Sequence, residues 1–475
     1  MNYNIVIRGG FIRLLFLNIS SYWLSESKHP YHKLNPLDIG YCASILDKKG
    51  HETWLVDTEV KKVSINYITT LIKEKKIDVV ILKPALNTTK TVLELAQEIK
   101  KHKIPIILIG PFVTHKYTDF LFERSPIDIC IIGEPEYTLD DLISSIERNG
   151  DITKVNGIVF FKNNVVVNPR PLIENLDELP IPKHEFFINR GYAFYYPMNI
   201  RKKMIIGFML ASRGCSFHCS FCSVIERDSF GLKYRKISPK NIVNEMAYLI
   251  SKGVNAIYFI DDLFGADRKN LEDMCDEIIR RKLRINWAFQ SRVGFWDVRL
   301  LKKMKMAGCS TMCFGIESGS QKILKMLNKG TTIEQIEQSV RNANSAGIDT
   351  VGYFIIGNPT ETKTDILKTS KFIERLPLDM IQVHFFTPMP GSSSFDIYMN
   401  KIDNNHETYD IHNKPVGFLS DFSPLELKKY QKYLYKKFYL SPRFVLKYIF
   451  RMPFHILNAG SDIKLLNKAV RLFFV

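Results

Sequence analysis

Ser212-Arg-Gly-Cys-Ser-Phe-His-Cys-Ser-Phe-Cys-Ser223 carries three cysteines, Cys215, Cys219 and Cys222, separated by three and then two residues. Gly214 stands just before the first of them. Thiolates this close together wrap a loop around a small inorganic core. Three of them leave one metal corner without a protein ligand, and an open corner points to chemistry at the metal. Read as spacing alone, the stretch also admits a zinc loop short of a ligand, or three unrelated cysteines.

With Phe221 before the last cysteine, Cys-x3-Cys-x2-Cys resembles the cluster loop of the radical S-adenosylmethionine (SAM) enzymes. The resemblance implies a 4Fe–4S cluster on Cys215, Cys219 and Cys222. Its free iron would chelate the amino and carboxylate groups of S-adenosylmethionine, which an electron cleaves to a 5′-deoxyadenosyl radical. A reductant such as flavodoxin or ferredoxin is then the implied electron donor.

Around this loop, strand and helix patterns alternate six times. Strands are expected at Ile205–Leu210, Ala256–Ile260, Asn286–Gln290, Thr311–Ile316, Thr350–Ile356 and Ile381–Phe386. Ser238 is a natural N-cap with Pro239 in the first turn and Gly253 at the far end, and Thr332 with Gln335 makes a capping box. Six such units predict a partial (β/α)6 TIM barrel, with chemistry at the carboxyl ends of its strands.

Those ends carry polar residues. After the second strand, Asp261-Asp262 read either as an acidic helix start or, by the resemblance, as the turn that takes the amino group of S-adenosylmethionine. After the fourth comes Gly315-Ile-Glu-Ser-Gly319. Glu317 suits ribose hydroxyls there, Ser318 is a cofactor-binding candidate beside it, and the glycines permit close approach. Gly357-Asn-Pro-Thr-Glu361 resembles the adenine-contacting turn, with Gly357 and Pro359 as candidates, although Thr360 stands where the family often has glycine. Arg292 and His384, near the ends of the third and sixth strands, are the catalytic candidates. Period-two alternation puts Arg292 on one face with Gln290, where it could meet the carboxylate of SAM or of a substrate, and His384 on one face with Gln382; structural hydrogen bonds are the alternative. His218 reads as a loop residue.

Upstream, short buried strands are expected at Leu14–Asn18, Thr53–Asp57, Asp78–Leu82, Ile104–Ile109 and Asp128–Ile132. An amphipathic helix is expected over Thr91–Lys103. The alternation predicts a Rossmann-like, doubly wound parallel sheet. Asn35-Pro-Leu-Asp-Ile-Gly-Tyr41, Gly50-His-Glu and Ile109-Gly-Pro resemble the cobalamin-binding domain that precedes many radical SAM domains. Asp-x-His-x-x-Gly, the string that ligates cobalt from below, is absent from the chain. The resemblance therefore implies cobalamin held without a lower histidine, and a vacant domain is the alternative. Gly133-Glu-Pro-Glu136 departs from the family at Pro135. The transfer-RNA methylthiotransferases carry a second cysteine triad in such a domain, whereas this region has only Cys42 and Cys130.

A hairpin, Gly157–Asn168 with its turn at Asn163-Asn164, and a proline-punctuated linker ending near Tyr196 connect the two parts. The expected domains are residues 1–150 (cobalamin-binding type), 151–203 (connector), 204–400 (radical SAM barrel) and 401–475 (a basic helical C-terminal region). From Asp421 onward, 11 Lys or Arg stand against 3 Asp or Glu. Such helices rest on an anionic membrane or pack on the barrel with a solvated face.

Across the 475 residues, 45% are apolar and 24% charged, an ordinary globular composition with a net charge of +17. Cysteines outside the loop have no paired spacing, which fits a reducing cytosol rather than a disulfide framework. No apolar run is long enough to span a membrane, and Leu14–Leu17 is too short for a signal core.

The expected activity is cobalamin-dependent methylation of an unactivated carbon in a small-molecule metabolite, without nucleic acid. In the methyltransferases that the chain resembles, the adenosyl radical removes the hydrogen and methylcobalamin delivers the methyl group. The alternatives are ring closure or oxidation like that of the anaerobic porphyrin cyclases, radical chemistry without cobalamin, and a corrinoid or metal sensor.

Overall fold

The computed structural model describes residues 11–20, 32–86, 88–162, 164–194, 204–222, 230–398, 415 and 419–451. Seven strands make the first sheet: β1 (Arg13–Ile19), β2 (Glu52–Asp57), β3 (Val79–Pro84), β4 (Ile106–Leu108), β5 (Ile129–Ile131), β6 (Ile158–Lys162) and β7 (Asn164–Val167). Their order is β2-β1-β3-β4-β5-β6-β7. The first five are parallel, and β6 and β7 add antiparallel at one edge.

The strands read as nearly continuous apolar runs because both faces are covered. Leu15, Leu17 and Ile19 join Ile68, Ile72, Val92 and Leu95 from helices on one side. Leu14 and Phe16 join Ile39, Leu46, Leu139 and Leu142 on the other. Cys42 and Cys130 belong to these opposite cores, so no metal centre unites them. The helix expected over Thr91–Lys103 runs from Thr89 to Lys100. The hairpin expected over Gly157–Asn168 is present as β6 and β7, and β6 also pairs antiparallel with β5, which covers the β5 edge. Asn163 of its turn lies outside the described residues, as does the linker's end near Tyr196.

The second sheet has six parallel strands in chain order: β8 (Ile206–Met209), β9 (Ala256–Phe259), β10 (Asn286–Ser291), β11 (Cys309–Glu317), β12 (Asp349–Ile356) and β13 (Met380–Phe385). One face packs into the largest core, where Phe259, Trp287, Phe289 and Phe314 meet helices such as Pro239–Ser251 and Ile333–Ser345. Ser238 caps the first of these helices, and Thr332 with Gln335 closes a capping box on the second. The other face, with Phe208, Tyr258, Ala288, Cys313 and Val351, packs on Leu37 and Tyr41 of the helix Leu37–Lys48. The two sheets therefore share a core.

The helix Pro424–Tyr439 buries Leu427, Leu434 and Phe438 against the second sheet and leaves its lysines outward. It also satisfies the free edge of β13: Gln431 Nε2 donates to the Val383 carbonyl at 2.7 Å, and Val383 N donates to Tyr435 Oη at 3.0 Å. A second helix, Pro442–Arg451, follows. The tail beyond Arg451 and most of residues 399–418 lie outside the described residues.

Candidate active site

The cysteine loop leaves the carboxyl end of β8 and docks beside the end of β11. Ser220 N donates to the Leu327 carbonyl at 3.0 Å, and Asn328 Nδ2 donates to the His218 carbonyl at 2.7 Å. Phe221 packs against Ile323, Leu327, Phe386 and Leu419. Cys215 and Cys219 are half-buried, Cys222 is exposed, and none forms a disulfide. Burial raises the Cys215 thiol above its ordinary value. Among the described residues no three His, Cys, Asp or Glu side chains converge as ligands of one ion. A cuboidal cluster takes thiolates at separate corners, so three cysteine side chains on one short loop suit it chemically without such convergence.

Arg292 lies over this loop. Its Nη1 donates to Cys219 Sγ at 3.0 Å, its Nη2 to the Lys329 carbonyl, and its guanidinium stacks 3.7 Å above the Phe217 ring. Strand β10 ends at Ser291, so Arg292 is freed from the alternation that would align it with Gln290.

Glu317 ends β11 where the pairing with β12 slips between Gly315 and Glu317. Such an irregularity re-aims a side chain, and Glu317 has φ of 65°, a left-handed conformation uncommon outside glycine. Its Oε1 accepts from Lys329 Nζ at 2.7 Å, with both side chains buried. A Cβ on Gly315 would lie 2.5 Å from that carboxylate oxygen, so the glycine makes room for the pair. Lys329 escaped the sequence reading. Nothing in its local pattern separates it from the chain's many other lysines.

Residues 209–373 match the family model described as the radical SAM superfamily. A protein of Pyrococcus horikoshii named as an uncharacterized methyltransferase is 31% identical over 426 residues, covering 87% of this chain and 90% of its own length. The chain belongs to the radical SAM superfamily. It is a radical SAM enzyme, of a superfamily whose cofactors are a 4Fe–4S cluster and S-adenosylmethionine. An anaerobic magnesium-protoporphyrin IX monomethyl ester cyclase of Rubrivivax gelatinosus is 30% identical, over 78% of this chain and 67% of the cyclase. The α/β fold is similar to that of the cobalamin-dependent radical enzyme OxsB, solved with aqua-cobalamin, at a TM-score of 0.66 and 21% identity over 88% of this chain. The chain spans 61% of the OxsB chain. The methyltransferase TsrM from Kitasatospora setae, with cobalamin and a [4Fe-4S] cluster bound, gives a TM-score of 0.65 at 18% identity, over 82% of this chain and 75% of TsrM.

Within this radical SAM enzyme the remaining candidates separate by what already engages them. Asp261 turns inward, accepting from Ala211 N at 3.1 Å and Ser212 Oγ at 2.5 Å, and burial pushes its carboxyl up to about 7. It shapes the exit from β8 toward the cysteines. Asp262 instead lines an open cleft. Ser318 is buried, its hydroxyl 3.2 Å from Thr369 Oγ1 and accepting from Ser320 N at 3.1 Å. Gly357 has φ of 78°, and a Cβ there would lie 2.9 Å from Leu427 of the tail helix. Glu361 ties that turn, accepting from Gly357 N at 2.7 Å and Asn358 N at 3.1 Å; Pro359 is buried within it. His384 stands on β13 with its ring 6.0 Å from that of Tyr353.

The cleft that Asp262 lines has a volume of about 310 Å³. Asn18, Ser20, Lys83 and Ala85 wall it at the carboxyl ends of β1 and β3, and Leu210 and Ile260, just past the ends of β8 and β9, wall it with Arg213 from the other side. Lys83 Nζ pairs with Asp38 at 2.6 Å, and burial pushes Glu59 up to about 7.

Proposed function

We propose that this radical SAM enzyme is a cobalamin-dependent methyltransferase acting on an unactivated carbon of a small-molecule metabolite. The first sheet serves as a Rossmann-like corrinoid-binding layer and the second as a partial (β/α)6 barrel. The observation that carries the reading is the cleft between them. In a sheet of order 2-1-3-4-5, ligands sit at the switch point between the first and third strands, and the cleft opens at that point in β1 and β3. Its opposite wall is formed by residues just beyond the ends of β8, from which the cysteine loop departs, and of β9.

The lining suits the rim of a polar macrocycle with amide arms, since polar Asn18, Ser20, Asn35 and Lys83 surround an apolar floor of Ile19, Leu37 and Pro84. A corrinoid bound there would supply methyl-carrier chemistry. Without an Asp-x-His-x-x-Gly string, it would be held with no histidine beneath it. Glu317 is assigned to the ribose of S-adenosylmethionine and Lys329, with Arg292, to its carboxylate; Asp262 and the Gly357–Glu361 turn are assigned to its amino and adenine ends. A flavodoxin or ferredoxin is the proposed electron donor. Ring closure is the second reading, favoured by the cyclase of Rubrivivax gelatinosus at 30% identity.

Anaerobic turnover with methyl-labelled S-adenosylmethionine, dithionite and hydroxocobalamin tests the proposal. The expected result is 5′-deoxyadenosine together with S-adenosylhomocysteine, because one molecule supplies the radical and another the methyl group. 5′-Deoxyadenosine without S-adenosylhomocysteine, with true substrate converted, favours the cyclase reading.

A further inference from the structure

One carboxylate of the first domain reaches both ends of the cysteine loop. The loop is closed at its base by a two-stranded ribbon in which Ser212 pairs with Lys236 and Arg213 with Arg235. Glu134 Oε1 accepts from Arg213 Nη1 at 2.8 Å, and Glu134 Oε2 accepts from Arg235 Nη1 at 2.8 Å. Glu136 Oε1 accepts from Arg213 Nη2 at 2.6 Å. All four side chains are 2% exposed or less. Glu134 Oε2 also accepts from Ile173 N at 2.6 Å, which brings the connector into the same knot. The Arg213 guanidinium lies 5.2 Å from the Tyr41 ring and 5.0 Å from the Phe230 ring.

Burying four charges costs several kcal/mol per ion before pairing offsets it, so such a cluster is a poor way to add stability. It is a good way to fix geometry. Gly214, the residue between Arg213 and Cys215, has φ of 86°, and a Cβ there would lie 2.3 Å from the Lys233 carbonyl oxygen. The loop base therefore has a single tight path, held from the other domain. Two cations and two anions also leave the knot neutral, two residues from a cluster ligand. The potential of an iron–sulfur cluster depends on the net charge around it.

We propose that Glu134 and Glu136 are positioning residues for the cluster: from the first domain they hold the base of the cysteine loop, and their charge balance against Arg213 and Arg235 tunes the cluster's reduction potential. The proposal rests on the superfamily's cluster and not on cobalamin.

The test is redox titration of the full-length reconstituted protein, followed by the electron paramagnetic resonance of the reduced cluster. Glu136→Gln leaves an excess positive charge, which favours the more negative reduced cluster, so the midpoint shifts positive. Arg213→Gln leaves an excess negative charge and shifts it negative. The double variant is neutral again and returns toward the parent value. A merely structural defect would move both single variants the same way and the double variant further, and that result, or no shift at all, overturns the proposal. Hydrogen exchange of Glu134→Gln reads the clamp whether or not the cluster is loaded. Exchange over residues 212–222 is expected to rise at least tenfold with the first sheet unchanged, and equal protection of the loop in variant and parent overturns it.

Discussion

Lys329 Nζ lies 2.7 Å from Glu317 Oε1, and both side chains are buried at the carboxyl end of β11. The carboxylate assigned to the ribose of S-adenosylmethionine is thus held by a cation that the following loop carries back to it. Removing one member of such a pair strands the other charge, at a cost of about 3–5 kcal/mol, whereas removing both is far milder. Glu317→Gln is expected to raise the KM for S-adenosylmethionine at least tenfold. Lys329→Met is expected to lower the unfolding midpoint in urea, with Lys329→Met/Glu317→Gln recovering most of that loss. Simple additivity of the two single variants would contradict this account.

Arg292 joins the cysteine loop to the same segment, through Cys219 Sγ at 3.0 Å and the Lys329 carbonyl. Its planar fork makes both contacts at once, which an ammonium group cannot reproduce. Arg292→Lys is therefore expected to release iron to a chelator several-fold faster than the parent, with unchanged far-ultraviolet circular dichroism. Identical release rates would show that Arg292 does not steady the loop.

Glu361 makes stability depend on pH. Burial raises its carboxyl from an ordinary 4.5 to about 7. Between those values the folded chain holds a proton that the unfolded chain gives up. The stabilisation is thus complete below the ordinary value and lost as pH rises through about 7. Glu361→Gln removes the titration while keeping an acceptor for Gly357 N, so its urea midpoint should vary less between pH 5 and pH 8 than the parent's. Parallel pH profiles would exclude Glu361 as a source of the dependence.

Gly357 connects the adenine-side turn to the tail. Ala at this position meets both a positive φ and Leu427, so Gly357→Ala should cost about 2 kcal/mol or more in denaturant unfolding. Leu427→Ala in the same chain relieves the clash and should reduce the difference between Gly and Ala. An unchanged difference would mean that backbone strain alone sets the cost.

Much of this was legible in the sequence for a physical reason. Strands buried on both faces, such as Leu14–Leu17 and Val79–Leu82, need apolar residues at every position, and the helix starts at Ser238 and Thr332 carry their caps within three residues. The cysteine spacing and Glu317 between glycines are equally local. What escaped depends on long-range contact. Arg213 and Glu136 are 77 residues apart, and neither announces the other. Asp261 and Asp262 look alike in the chain, yet one turns inward to Ala211 N and the other faces the cleft. The hairpin at β6 and β7 showed its own pairing but not that it would complete the first sheet. Lys329 becomes a site residue only when the loop after β11 folds back over Glu317.

Corrinoid retention tests the central claim most directly. The anaerobically reconstituted full-length protein is incubated with hydroxocobalamin, passed through gel filtration and read by its visible spectrum, beside Ala85→Trp, which fills the cleft from the end of β3. The account predicts about one corrinoid per chain for the parent and at least a tenfold loss for the variant, with iron content equal in both. A parent that retains no corrinoid, or a variant that retains as much as the parent, contradicts it.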